Sequence, residues 1–174
     1  VYMESNMGIA NPRVGLINVG AEKEKGNALT KAAYDLLEGS GLNFAGNIEG
    51  REISAGAVDV AVCDAFVGNI VLKYAEGYAK GIFAMLKEEL MAGTLSKIGG
   101  LLSKGAFGRL RKRFDYQEIG GAPFIGLKGL VIKAHGSSNA KAIKSSIGQC
   151  ARFIEADVVN KIQKMSERND EDGI

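Results

Sequence analysis

The chain has 174 residues, 46% hydrophobic and 24% charged, with a formal net charge of +2; this excludes wholesale disorder and suits one domain or a large piece of a two-domain enzyme. No apolar run approaches the roughly 18 residues of a membrane span. Cys63, Cys150 and a single histidine exclude a disulfide scaffold and fit a four-ligand zinc site poorly, so the cysteines are expected to be buried thiols in a reducing compartment.

The first residue is Val1, with no basic-then-apolar leader behind it, so a processed chain or a piece of a longer one is expected. Residues 2–9 read as a helix running into Asn11-Pro12, which stops it. Arg13 to Val19 is an apolar, β-branched strand, and Gly20 to Gly26 a charged loop. Asn27 caps a helix over Ala28 to Glu38 whose Leu29, Ala32, Ala33, Leu36 and Leu37 share a face. Leu42 to Ile48 and Val58 to Cys63 are two further strands, the second followed by the loop Asp64 to Gly68. A long helix is predicted from Asn69 to Leu90, with Ile70, Tyr74, Gly77, Tyr78, Gly81 and Met85 at helical spacing. Beyond it, Met91, Leu95, Ile98 and Leu102 share one helical face and Phe107, Leu110 and Phe114 another. The interleaved glycines predict two short amphipathic pieces with a flexible joint. Gly120 to Pro123 is a turn or strand edge, and Gly129 to Ala134 a fourth strand. A helix from Asn139 to about Ser166 then leads into a frayed acidic tail with Glu167, Asp170, Glu171 and Asp172.

Alternating strands and helices predict an α/β fold with a largely parallel sheet. Four segments are expected: an α/β part at 1–90, a basic amphipathic insertion at 91–114, an α/β part completing the sheet at 115–166, and the tail at 167–174. Charge follows the same division. Residues 1–89 sum to −4 and 115–174 to zero, whereas 90–114 hold Lys97, Lys104, Arg109, Arg111, Lys112 and Arg113 with no acid. Such a stretch suits an acidic partner or an anionic membrane, or simply a solvated helix face.

In parallel α/β folds ligands bind in loops beyond the carboxyl ends of strands. Three loops qualify here. The first sets Lys25, Gly26 and Asn27 before a helix start, where N–H groups and an ammonium suit a phosphate; an ordinary N-capped loop uses the same residues. The second holds Asp64, Gly68 and Asn69, where Asn69 can cap the helix or hold an oxyanion. The third is His135-Gly136-Ser137-Ser138, an imidazole and two hydroxyls around a small-residue turn. No P-loop, dinucleotide fingerprint or Gly-x-Ser-x-Gly elbow is present. Together the loops point to a phosphate or phosphorylated ligand on one sheet edge.

Five ordered segments carry a resemblance: Pro12 through Gly20, Lys25-Gly26-Asn27, Gly46-Asn47-Ile48-Glu49-Gly50-Arg51, Asp64-Ala65-Phe66-Val67-Gly68-Asn69, and Ile132 through Ser138. They closely resemble the C-terminal half of the bacterial phosphate acyltransferase family PlsX of phospholipid synthesis. The resemblance implies a reaction of acyl-[acyl carrier protein] with inorganic phosphate to give acyl phosphate, without metal or organic cofactor. It also implies a three-layer α/β/α fold, like the isopropylmalate dehydrogenase and phosphotransacetylase group but incomplete. A homodimer touching the inner face of the cell membrane from the cytoplasm is further implied, with no nucleic-acid partner. The family's N-terminal half, with its Met-Gly-Gly-Asp turn and Gly-Asn-Thr-Gly loop, does not occur here, so this chain is expected to be inactive alone. Ala65 stands where the family commonly has glycine, and its methyl would crowd a backbone that needs positive φ.

For site roles, Lys25 and His135 are the catalytic expectations, the first holding phosphate or the carbonyl, the second binding phosphate or protonating the departing sulfur. Gly26, Asn27, Asp64, Gly68, Asn69, Gly136, Ser137 and Ser138 are the expected phosphate and substrate contacts. Leu95, Ile98, Leu102 and Phe107, with Lys104, Arg109, Arg111, Lys112 and Arg113, are expected to meet the membrane or the acyl carrier protein, or to pack as a dimer hairpin. Two other readings of the chain are a small-acyl phosphotransacetylase using coenzyme A, and a non-catalytic acyl-carrier or membrane-binding module.

Overall fold

The computed structural model describes the backbone of residues 1–172 and, apart from Tyr116 and residues 168–172, their side chains. The carboxylates of Asp170, Glu171 and Asp172 and the last two residues of the expected acidic tail thus lie outside the described part. The chain divides into two compact units, one of residues 1–65, 123–132 and 150 onward, the other of residues 66–122 and 133–149.

The first unit opens with α1 (Tyr2–Met7), closed by Gly8 in the left-handed region. Next come β1 (Val14–Ile17), α2 (Ala28–Gly39), β2 (Phe44–Ile48), α3 (Gly50–Ala55) and β3 (Val60–Val62). The strands form a parallel sheet in the order β2-β1-β3, so the fold is α/β as expected. Val14, Leu16 and Ile48 are buried in it. Gly15 is required in the central strand, because a Cβ there would stand 2.8 Å from Ile48 and 2.9 Å from Val58. The apolar face expected on α2 is only partly used: Leu29 and Leu36 stand exposed. Tyr34 of this helix instead packs edge-on against Phe44 of β2, ring centroids 5.1 Å apart.

The register of β1 on β2 slips by one residue. Val14 faces Phe44, but Leu16 faces Asn47, so β2 carries an extra residue over this span. Gly46 absorbs it with φ +89°, a β-bulge at a residue that tolerates positive φ. After the bulge Asn47 and Ile48 are both buried, as Val14 to Leu16 of β1 are, so the sheet is covered on both faces here.

The second unit is mostly helical: α4 (Ala65–Met91, of which Ala65 belongs to the first unit), α5 (Thr94–Leu102), α6 (Lys104–Arg113) and α7 (Tyr116–Ile119). The expected pair of amphipathic pieces is present as α5 and α6, with the joint at Ser103. Phe114 after α6 meets Phe83 of α4 edge-on at 5.9 Å. β4 (Gly121–Pro123) pairs with β5 (Ile132–Ala134) in a separate two-stranded sheet. The fourth strand therefore does not complete the parallel sheet: it is three residues long and pairs with the strand edge at 121–123.

The long C-terminal helix expected over 139–166 is two helices, α8 (Ala140–Glu155) and α9 (Val158–Asp172). Asp157, at φ +51°, breaks them. Nothing in the apolar spacing announces that break, because the period resumes in phase beyond it. Ala142, Ser146, Gln149 and Phe153 form the buried face of α8, and Val158 the buried start of α9. The two cysteines are half-buried rather than buried.

Candidate active site

The loop after β1 is held in shape by backbone-directed side chains. Asn27 caps α2: its Oδ1 accepts from the Thr30 N–H at 3.0 Å, and the Thr30 hydroxyl accepts from the Asn27 N–H at 3.0 Å. This capping box satisfies two otherwise orphaned groups, and it commits the Asn27 carbonyl to the helix. Gly26 takes φ +95° just before it, and a Cβ there would collide with the Thr30 hydroxyl and with the Asn18 amide, 2.5 Å from its Oδ1. The loop thus needs glycine for both conformation and space.

Its two central lysines are used differently. Lys23 is tied to α2, with Nζ 2.5 Å from Glu38 and 3.2 Å from Asp35, and 5.0 Å from the centroid of the Tyr34 ring. Hydrogen bonding to Glu38 first, then to Asp35, raises the pKa of this ammonium. Lys25 is exposed and has no carboxylate within ion-pair distance among the described residues. Its stem lies over Gly20, where a Cβ would meet Cγ at 3.1 Å. Lys23 is therefore neutralised locally, whereas Lys25 has no such carboxylate partner among the described residues. A hollow of about 410 Å³ on this side of the unit is lined by Lys23, Glu24, Lys31 and Asp35.

The second loop is shorter than its sequence suggests. The helix α4 starts at Ala65, so Gly68 and Asn69 are helical, and Asn69 cannot be the cap. Asp64 is the residue that precedes the helix. Ala65 is helical too and has no positive φ, so its methyl crowds nothing by conformation. Burial first, and the neighbouring Asp64 carboxylate second, push the Cys63 thiol up; at neutral pH it is a protonated, sluggish thiol.

The third loop follows β5 of the two-stranded sheet, so the three loops do not share one sheet edge. His135 is exposed. Its Nδ1 accepts from the Ser137 N–H at 3.2 Å and lies 2.7 Å from the Ser137 hydroxyl. An accepting Nδ1 puts the proton of the neutral ring on Nε2. The Ser138 N–H bonds back to the His135 carbonyl at 3.0 Å, and the Ser138 Oγ is enclosed with no partner among the described residues. Asn139 caps α8 through the Ala142 N–H at 3.1 Å and donates to Gln117 at 2.9 Å. Lys141 reaches Glu118 at 2.8 Å and Asp115 at 3.2 Å. These bonds fasten α7 to the start of α8. Gly120 completes the seam, since a Cβ there would stand 2.8 Å from the Ala142 carbonyl oxygen.

Lys25, Gly26, Asn27 and Asp64 thus lie in the first unit, and Gly68, Asn69, His135, Gly136, Ser137 and Ser138 in the second. The structure brings the first three together in one turn and the last four in another. Two residues not singled out in the sequence, Asn18 and Asn47, contact the first loop directly. Their signal was position: each ends a strand or sits on its last turn of pleat, beside a loop rich in backbone carbonyls. No group of three or more His, Cys, Asp or Glu side chains among the described residues is arranged to hold a metal.

On the basic segment, Leu95 and Leu102 are each 83% exposed and Leu101 71%, while Phe107 is half-buried. Leu101 therefore belongs with the exposed apolar side chains, a position the heptad-like spacing passed over. Arg111, Lys112 and Arg113 occupy the last turn of α6, where the helix dipole favours cations. No helix among the described residues is long and apolar enough to cross a membrane.

The parallel β2-β1-β3 sheet, with α2 and α3 between its strands, defines the class as an α/β protein. Comparison narrows it: the family described as "Fatty acid synthesis protein" matches residues 1–161, and the chain belongs to that family. It is similar to the phosphate acyltransferase of Clostridium botulinum (strain Loch Maree / Type A3), 55% identical over 163 residues, covering 94% of this chain and 49% of that protein. The phosphate acyltransferase of Clostridium acetobutylicum is 52% identical over 167 residues, 96% of this chain and 50% of that one. That of Clostridium perfringens (strain SM101 / Type A) is 52% identical over 165 residues. The chain spans about half the length of the curated relatives it matches.

Proposed function

We propose that the full-length protein bearing this chain is a phosphate acyltransferase that converts acyl-[acyl carrier protein] and inorganic phosphate into acyl phosphate and free carrier protein. The observation that carries this reading is the 52–55% identity, over nearly the whole chain, to relatives named phosphate acyltransferase. In the reaction a phosphate oxygen attacks the thioester carbonyl carbon, the C–S bond breaks, and the phosphate proton ends on the departing thiol. The protein has to hold the dianion beside the acyl carbon and stabilise the developing oxyanion. Lys25, which has no ion-pair partner among the described residues while Lys23 is neutralised, is the cation for that task. Gly26 and Asn27 shape its loop, and Asp64, Gly68 and Asn69 frame the start of α4. His135 donates through Nε2, and Gly136, Ser137 and Ser138 offer the N–H and hydroxyl donors of the third loop.

The test is acyl phosphate formation by the full-length enzyme with carrier-bound and with coenzyme A-bound acyl groups. Turnover with the carrier-bound substrate is expected; turnover with coenzyme A alone would replace the reading by a phosphotransacetylase, and none with either would end it. Lys25→Met and His135→Ala should each lower turnover by about 100-fold, as loss of an oxyanion donor does; near-normal rates in both would remove them from the site.

The exposed apolar face of α5 with the cations of α6 is the proposed docking surface for the carrier protein and for an anionic membrane, on the cytoplasmic side. Each Lys or Arg near such a surface contributes about 1 kcal/mol. Leu95→Ser with Leu102→Ser is expected to release the enzyme from anionic vesicles without weakening carrier docking, whereas raised salt should weaken docking. Equal vesicle binding by the double variant would refute the membrane role. A homodimer is proposed as well, and sedimentation of the full-length enzyme decides it.

A further inference from the structure

We propose that Asn18 and Asn47 are positioning residues that set the Lys25 ammonium for phosphate, an inference that rests on the reading of the 20–27 loop as the phosphate loop. Both belong to the ends of adjacent parallel strands, and both point an amide at a loop carbonyl. Asn47 Nδ2 donates to the Glu22 carbonyl at 2.8 Å, and Asn18 Nδ2 donates to the Lys25 carbonyl at 3.1 Å. Glu22 and Lys25 are the two ends of one tight turn, closed by the Lys25 N–H on the Glu22 carbonyl at 3.1 Å. The turn is therefore held at both ends from the sheet below.

The anchors are themselves fixed. The Asn18 N–H bonds to the Ile48 carbonyl at 2.8 Å, and its Oδ1 accepts from the Val19 N–H at 2.9 Å. Gly26 leaves the space in which that amide sits. Asn47 is 6% exposed and directly follows the bulge at Gly46. Its Oδ1 is buried with no partner among the described residues. An unsatisfied buried carbonyl is unfavourable for folding, and an apolar residue of the same shape would avoid it. Stability therefore does not explain an amide at 47; the donor to the loop does. The Glu22 carbonyl would still hold the Lys25 N–H if the amide were removed, so Asn47→Leu orphans no group.

The experiment uses the full-length enzyme with inorganic phosphate as the varied substrate. Asn47→Leu and Asn18→Ala should each lower kcat/KM for phosphate by about 100-fold, the cost of displacing a reacting group by roughly 1 Å. The melting temperature of Asn47→Leu should not fall. In a Lys25→Met background the same substitutions should change the rate by less than about twofold, because a residue that acts through Lys25 has nothing left to position. Losses that add to that of Lys25→Met, or losses under about threefold in the wild-type background, overturn the proposal. If the unaltered enzyme forms no acyl phosphate, the proposed function fails and the bracing is judged separately, by amide hydrogen exchange at Lys25. Exchange about tenfold faster in Asn47→Leu upholds the brace, and unchanged exchange overturns it.

Discussion

Two lysines separated by one residue illustrate how neighbouring side chains acquire different work. Lys23 and Lys25 look alike in the sequence, and only the folded helix reveals that Asp35 and Glu38 take up the first. Asn27 differs: its capping role was legible in the sequence, and the structure adds Thr30 as its reciprocal partner. The Arg13–Asp59 pair in the first unit makes a residue-scale prediction. Arg13 meets Asp59 through Nε at 3.1 Å, and its backbone N–H adds a bond at 2.8 Å. The side-chain bond to Arg13, followed by the backbone one, lowers the Asp59 pKa below its ordinary 3.8. A carboxylate whose folded pKa is depressed stabilises the fold above that ordinary value and loses its effect as pH falls through the folded one. Stability measured by urea titration should therefore decline below about pH 4, and Asp59→Asn should be less stable than the parent at pH 6, with the gap closing as pH falls through the folded pKa of Asp59. A gap that stays constant across that range would assign the pair no role.

Element boundaries were legible where a capping or breaking residue stood at them, and not elsewhere. Asn27 marks a real helix start, whereas α1 stops at Gly8, ahead of the Asn11-Pro12 expected to stop it. The helix α4 begins four residues earlier than expected, since Gly68, like Gly77 and Gly81, is accommodated inside the 27-residue helix. The break between α8 and α9 was invisible because it rests on one residue, Asp157, in the left-handed region. Its Oδ1 accepts from Asn160 at 2.6 Å and its carbonyl from the Lys161 N–H at 3.1 Å, so it both stops one helix and starts the next. Asp157→Ala loses the side-chain acceptor and keeps an unfavourable φ, and should cost about 1 kcal/mol in thermal or urea unfolding. Asp157→Asn, at home in that conformation, should stay within about 0.5 kcal/mol. Equal losses in both would mean that the left-handed turn contributes nothing.

At the scale of the whole molecule, the parallel α/β class was readable from alternation, but the place of the fourth strand was not, because pairing partners leave no local trace in three-residue strands. The ordered motifs conveyed the family; they did not convey that the loops divide between two compact units. Phe66, Ile70, Tyr74 and Tyr78 recur along α4 and are all at least half exposed, with the two tyrosine rings stacked at 5.8 Å. None of the helix's residues is buried. Continuous apolar exposure of this kind marks a surface meant to be covered. The isolated 174-residue chain is accordingly expected to bind a hydrophobic dye strongly and to form no acyl phosphate, while the full-length enzyme binds little dye and turns over. Acyl phosphate made by the isolated chain would show that these residues suffice.

The additional residue in β2 has a consequence for anyone transplanting this strand. It divides the strand into two stretches of opposite parity, so a graft that deletes Gly46 to regularise the ladder would turn the following amide to the opposite face of the strand and detach the turn above it. A scaffold designer must carry the irregularity along with the letters around it.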